Sequence, residues 1–255
     1  MKRKLALICS TLILLLFGQA LHAEDLLKNR KLVIVGGGKA PVSILKKFVE
    51  LAGKEPKLVV IPTASENIDE AKLKKRWNDL GVKHVTILHT RNREVASQED
   101  FVKPLKEATG VWFGGGKQSR IAAAYVGTLV EKEIYQLLKR GGVVGGSSAG
   151  AAIQTKVMIA GSEGSKPKIS TGLDLLPKSI VDQHFLARNR LARLSNAVKK
   201  HPELIGYGID ESTALVLNEG KLSVLGSSYV LQYKLTEGEL HINAFSDGQA
   251  ISLQK

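Results

Sequence analysis

The chain has 255 residues, 44% apolar and 5% aromatic, enough for one sizeable domain with its own hydrophobic core and unlike a disordered composition. Its formal charge is +13, yet the lysines and arginines are scattered and no basic run is interleaved with aromatics. That balance favours anionic partners or surfaces and leaves no footprint for nucleic-acid binding.

Residues 1–23 read as a secretory signal peptide. Lys2, Arg3 and Lys4 form a positive segment, Leu5 to Phe17 is an apolar stretch too short to span a bilayer, and Ala23 is a candidate last residue before cleavage, with Ala20 as the alternative. Export to the periplasm or beyond is expected, with no stable membrane span after cleavage; an uncleaved N-terminal anchor is the competing expectation. Loss of three positive charges takes +13 to +10, so the mature chain, residues 24–255, stays basic. Its only cysteine, Cys9, lies in the leader, which leaves no disulfide, thiolate nucleophile or thiolate metal site.

From Lys31 onward, apolar strands alternate with amphipathic helices. Strands are predicted over 31–35, 58–61, 84–88, 111–113 and 143–144. Helices are predicted over 42–52, 70–80 and 98–108, with one or two more over 121–140. Strands that are apolar throughout and separated by helices imply a mostly parallel sheet in an α/β fold, with helices on both faces. The glycine-rich segments 36–38, 114–116 and 145–150 each follow a strand, so they are expected to gather at one sheet edge, where such folds bind ligands. After residue 205 the texture changes. Residues 214–217 and 221–225 read as a hairpin around Asn218-Glu219-Gly220, and 229–235, 240–244 and 250–253 as further short strands, an antiparallel C-terminal extension of a single domain.

Chemistry concentrates in three places. Gly146-Ser147-Ser148-Ala149-Gly150 has the Gly-x-Ser-x-Gly spacing of a sharp strand-to-helix turn that exposes Ser148 and leaves the next backbone N–H free for an oxyanion. A tight turn or a phosphate-binding loop is the plain alternative, and Ser147 is a competing hydroxyl without symmetric glycine flanks. A serine needs a base. His184, in Val181-Asp-Gln-His-Phe185 at the end of a short strand, has the densest polar surroundings of the six histidines. Alternation along that strand, if it runs so far, puts Asp182 and His184 on one side. Arg188, Arg190 and Arg193 follow; they are a solvated basic face or a set of carboxylate binders. A third group must orient the imidazole, and Asp210 and Glu211 are both available after a strand.

Asp182-Gln-His-Phe-x-x-Arg188-x-Arg190-x-x-Arg193-Leu194, with Gly146-Ser-Ser-Ala-Gly-Ala151, Gly208-Ile-Asp-Glu211 and His201-Pro-Glu-Leu204, resembles cyanophycinase, a family related to dipeptidase E and to the class I glutamine amidotransferase-like fold. The resemblance covers roughly residues 31–225. It implies Ser148 as nucleophile, His184 as base and Glu211 rather than Asp210 as the orienting acid. It implies an oxyanion hole from the N–H of Ala149 and one from the Gly115–Gly116 loop. It also implies polar pocket residues Gln118, Asp182, Gln183, Arg188, Arg190 and Arg193, and acyl-enzyme chemistry without metal or cofactor. The implied substrate is cyanophycin, cut to β-aspartyl-arginine dipeptides, with a homodimer as a candidate assembly. Lys39-Ala40-Pro41 and Lys117 stand where the family commonly carries acids, and both add positive charge near the expected site. The alternatives are an exopeptidase for other acidic or isoaspartyl peptides and a catalytically silent periplasmic binding protein. A nucleotide-binding domain on Gly36–Gly38 is disfavoured because no Gly-x-Gly-x-x-Gly follows that strand.

Overall fold

Every apolar run on the N-terminal side becomes a strand of one sheet. In this computed structural model, which describes residues 27–252, β1 (Lys31–Val35), β2 (Lys57–Ile61), β3 (His84–Ile87), β4 (Gly110–Phe113) and β5 (Val143–Ser147) pair in parallel in the order β1-β5-β4-β2-β3. The leader, its cleavage positions and Cys9 lie outside the described residues.

Residues of alternate parity feed two cores. Leu32, Ile34, Val59, Ile61, Val111 and Phe113 face one; Val33, Val35, Leu58, Val60 and Trp112 face the other. A parallel strand is covered on both sides, which is why these runs are apolar without alternation. Helices α1 (Val42–Leu51) and α2 (Glu70–Asn78) cover the second core, where Phe48, Trp77 and Trp112 meet tilted or edge-to-face with ring centroids 5.0 to 5.4 Å apart. Asp69 caps α2 by accepting the Lys72 N–H at 2.9 Å. The first core is covered by α3 (Glu99–Glu107), α4 (Gln118–Tyr125) and α5 (Leu129–Lys139). The predicted stretch 121–140 is thus two helices, broken at Gly127 with φ 77°.

After β5 comes a one-turn helix, α6 (Ala149–Ala152), and then a hairpin of β6 (Val157–Glu163) and β7 (Lys166–Thr171) that the sequence did not announce. Pro167 and the exposed lysines at 166 and 168 hide its strand pattern. A second sheet has the order β13-β12-β9-β8 and contains β8 (Ser179–Gln183), β9 (Ile205–Ile209), β12 (Val230–Thr236) and β13 (Glu239–Phe245). Helix α7 (Leu191–Lys200) packs Leu194, Ala197 and Val198 against Ile180, Phe185 and Tyr233 of this sheet. The C-terminal strands are antiparallel as expected, but they divide. β10 (Thr213–Asn218), β11 (Lys221–Gly226) and β14 (Ala250–Ile251) extend the large sheet beyond β1, while β12 and β13 extend β9. Among the described residues no helix is long and apolar enough to cross a membrane.

The two sheets meet where their parallel strands end. Val35 is in register with Ser147, and Gln183 with Ile209. The Gly36 carbonyl accepts the His184 N–H at 2.6 Å, and the Gly37 carbonyl accepts the Ser212 N–H at 3.0 Å. The segments that follow β1, β5, β8 and β9 are therefore laced into one ridge.

Candidate active site

Ser148 leaves β5 in a conformation few side chains adopt, φ 56° and ψ −107°, before α6 begins at Ala149. Such a residue is typically strained by about 1–3 kcal/mol and persists only where its surroundings enforce it. The enforcement comes from the flanking glycines. A Cβ on Gly146 would lie 2.3 Å from the Gly150 carbonyl oxygen, and one on Gly150 would lie 2.2 Å from that of Phe113. Only glycine permits this turn. It turns the Ser148 hydroxyl towards His184, whose Nε2 lies 2.8 Å from Oγ.

His184 is 7% exposed and stands just beyond β8, at φ 50°. The expected strand alternation therefore does not govern it: the strand ends at Gln183, and the left-handed backbone aims the ring instead. Gly37, with φ 119°, is packed against that ring; a Cβ there would lie 2.3 Å from Cε1. On its far side Nδ1 lies 2.5 Å from Glu211 Oε1. A carboxylate only accepts, so Nδ1 carries the proton and Nε2 is left to accept from Ser148 Oγ–H. Burial pushes the imidazole below its ordinary range. The Glu211 hydrogen bond opposes this, and the positive charges of Arg188 and Arg190 add to it. The ring is thus neutral at neutral pH, the state a general base requires.

The geometry separates the two acids. Glu211 meets the imidazole. Asp210 instead accepts the N–H groups of Leu186 at 3.0 Å and Ala187 at 2.9 Å and the Ser228 hydroxyl at 2.8 Å, so it fastens the turn that follows His184. Burial alone would raise the Asp210 carboxyl, but these hydrogen bonds outweigh it and hold it below the usual range.

Gly115 lies against Ser148: a Cβ there would be 3.6 Å from that of Ser148. Among the described residues, the N–H groups of Ala149, Gly115 and Gly116 have no bonded acceptor. Gly116 packs on Ala64, whose carbonyl accepts the Lys117 N–H at 3.0 Å.

The remaining polar residues are engaged with one another. Asp182, buried at the end of β8, is gripped by Arg193 through both Nε, at 2.8 Å, and a terminal nitrogen. Arg190 donates to the carbonyl and side-chain oxygen of Gln183 and lies 3.6 Å from Asp182; burial, then Arg193, push it down to about 10. Gln118 Nε2 donates to the Ile159 carbonyl at 2.7 Å, tying α4 to β6. Arg188 alone of the three arginines is exposed and unpaired among the described residues. Lys117 is 3.7 Å from Glu66, which Arg120 also binds, so its charge is met locally.

Ser148 and His184 open into a cleft of about 860 Å³. Its far wall is the polar face of α2 and the loop before it, with Asn67, Asp69, Lys72, Arg76 and Asp79. Sequence reasoning missed this wall. Its residues belong to no motif, and a lysine-rich helix face is ordinarily just a solvated one; only the pairing of β2 next to β4 brings it over the serine turn.

This assembly, a serine on a glycine-enforced turn held by a histidine and a glutamate at the strand ends of an α/β sheet, defines its class: the chain belongs to peptidase family S51, whose sequence profile matches residues 32–225. Within that family it is similar to cyanophycinases. It is 38% identical over 210 residues to one from Synechococcus elongatus, covering 77% of this chain and 65% of that one, so the chain spans about two thirds of that relative's length. It is 36% identical over 230 residues to one from Nostoc sp., covering 83% of this chain and 77% of the relative. Among solved structures, a peptidase from an acI-B1 actinobacterium superposes with a TM-score of 0.70 at 27% identity, covering 88% of this chain and 97% of that one. A putative peptidase E protein from Listeria monocytogenes, 18% identical with a TM-score of 0.58, covering 78% of this chain and 99% of that one, shares the fold.

Proposed function

We propose that the chain is a serine peptidase that hydrolyses aspartyl or β-aspartyl peptide bonds, with cyanophycin as the polymer to test first. The observation that carries this is the unbroken hydrogen-bonded line Ser148–His184–Glu211 at the mouth of a cleft. Ser148 Oγ attacks the scissile carbonyl while His184 Nε2 takes its proton. Glu211 holds the ring by Nδ1–H and stabilises the imidazolium that forms. The tetrahedral oxyanion is received by the N–H of Ala149 and that of Gly115, with Gly116 next in the same loop. Collapse expels the leaving amine with the proton from Nε2 and leaves an acyl-enzyme. Water then attacks the acyl carbon as His184 takes its proton, and cleavage of the bond to Oγ releases the acid while His184 returns that proton to Ser148.

In this reading the Asp182–Arg193 and Gln183–Arg190 pairs keep the end of β8 rigid behind His184, Gln118 braces the β6–β7 hairpin, and Arg188 meets substrate. The leader-like residues 1–23 support export to the periplasm or beyond. Cyanophycin as substrate is supported by the names of the relatives. A second reading, an exopeptidase for other acidic or isoaspartyl peptides, is favoured by one observation, the exposed Lys39 beside the site.

The test is incubation of the mature protein with cyanophycin and with a panel of isoaspartyl dipeptides, with products read by mass. Hydrolysis of either that Ser148→Ala abolishes is expected. Cleavage that survives in Ser148→Ala, or none with any of these substrates, contradicts the assignment.

A further inference from the structure

The cleft at Ser148 does not end at α2. At Gly38, Arg76 and Asp79 it runs into a second groove of about 590 Å³ whose walls include Lys39 and Lys46 and whose floor is apolar, with Ala40 and Leu45. The join is close to the chemistry, since a Cβ on Gly38 would lie 2.9 Å from Glu211 Oε2. A substrate extended past the serine on this side lies along Lys39 and Arg76.

The charges of this passage do not cancel. Lys39, Lys46, Lys72, Lys75 and Arg76 outnumber the acids, which are Asp69, capping α2 through the Lys72 N–H, Asp79, paired with Lys75 at 2.8 Å, and Glu211 at the join. Apart from Lys75, these cations are unpaired: no ion pair found among the described residues uses Lys39, Lys46, Lys72 or Arg76. The backbone of Lys39 is fixed all the same, because its carbonyl accepts the Ser212 hydroxyl at 3.0 Å, one residue from Glu211. A cleft lined by unmatched charge of one sign, with an apolar floor, concentrates ligands of the opposite sign and repels its own.

We propose that the groove formed by Lys39, Lys46 and Arg76 is a specificity subsite that accepts a carboxylate, so that the bond cut at Ser148 is flanked by an acidic residue or a free α-carboxylate rather than by an arginine. This rests on the serine-peptidase assignment and narrows its substrate. Arg76 supplies a planar fork that matches a carboxylate, and Lys39 and Lys46 supply mobile point charges in the same groove.

The test compares β-Asp-Glu, β-Asp-Gln and β-Asp-Arg, each also as its C-terminal amide, at low and high salt. The wild type is expected to favour the glutamate peptide over the arginine peptide by roughly tenfold or more in kcat/KM, mainly through KM, and to lose part of that preference in salt. The double variant Lys39→Glu with Arg76→Glu should erase or invert the ratio, whereas Lys221→Glu, at the opposite end of the sheet, should keep it. If amidation lowers kcat/KM equally for all three peptides and the side chain does not matter, the carboxylate recognised is the α-carboxylate, and the double variant should lose that amidation effect instead. Calorimetric binding of the same peptides to Ser148→Ala reads the subsite without turnover. A double variant that leaves both the glutamate-to-arginine ratio and the effect of amidation unchanged, by kinetics or by binding, overturns the proposal. Labelling of wild-type Ser148 by a fluorophosphonate tests the peptidase assignment separately.

Discussion

Gly37→Ala probes the imidazole without replacing any group that reacts. A methyl at this position would start 2.3 Å from His184 Cε1 and 2.5 Å from Nε2. Carbon–carbon contacts settle at about 3.5–4.0 Å, so the ring has to retreat by about 1.2 Å or more, or the loop has to move. The ring is held by hydrogen bonds of 2.8 and 2.5 Å, and a displacement of that size breaks at least one. A misplacement of about 1 Å typically costs on the order of 100-fold in rate, about 2.7 kcal/mol of barrier. Alanine at φ 119° also adds backbone strain of about 1–3 kcal/mol. Gly53→Ala provides the control: it lies at φ 100° with nothing within 4 Å of the added carbon, so it carries the strain without the clash. Thermal melts should show both variants folded, with Tm lowered by several degrees. Steady-state assays should show kcat down roughly 100-fold for Gly37→Ala alone. Full activity in folded Gly37→Ala would refute the reasoning, as would an equal loss in Gly53→Ala.

Three further outcomes follow from the same geometry. Because burial and the neighbouring arginines push His184 below its ordinary range, kcat/KM should rise with pH through a point below about 6.5 and stay high at neutral pH. Arg188→Ala removes a positive charge that disfavours the imidazolium, so the acid limb of the pH–rate profile should move up; a limb that stays or moves down contradicts this. Arg193→Met leaves the buried Asp182 carboxylate without its bidentate partner, which should destabilise the fold by about 3–5 kcal/mol, read as a fall in denaturation midpoint. A midpoint within error of the wild type contradicts a structural role for Arg193.

The fold was legible where one physical signal dominated. Continuous apolar runs such as Leu32–Val35 have no polar face to spare, and that alone implies a covered parallel sheet. The glycine pairs around Ser148 announced the turn because no other residue tolerates those approaches. Legibility failed where partners are distant in sequence. Period-two reasoning applied to His184 assumes a strand that in fact stops one residue earlier. Asp210 and Glu211 cannot be told apart by spacing, because a backbone turn decides which carboxylate reaches the ring and which accepts amides. Arg190 and Arg193 look like substrate binders in sequence, yet the register of β8 against α7 places Asp182 and Gln183 beside them. The α2 wall is silent in sequence because its lysines are indistinguishable from solvated ones until the sheet order brings them to the cleft.

The most direct measurement is intact-mass analysis of the protein after treatment with a fluorophosphonate, followed by peptide mapping of the adduct. A single adduct on Ser148, with Ser147 unmodified and labelling lost in His184→Ala, is the predicted result. An adduct on Ser147, or labelling that persists at the wild-type rate without His184, would show that the hydroxyl, imidazole and carboxylate do not act as one unit.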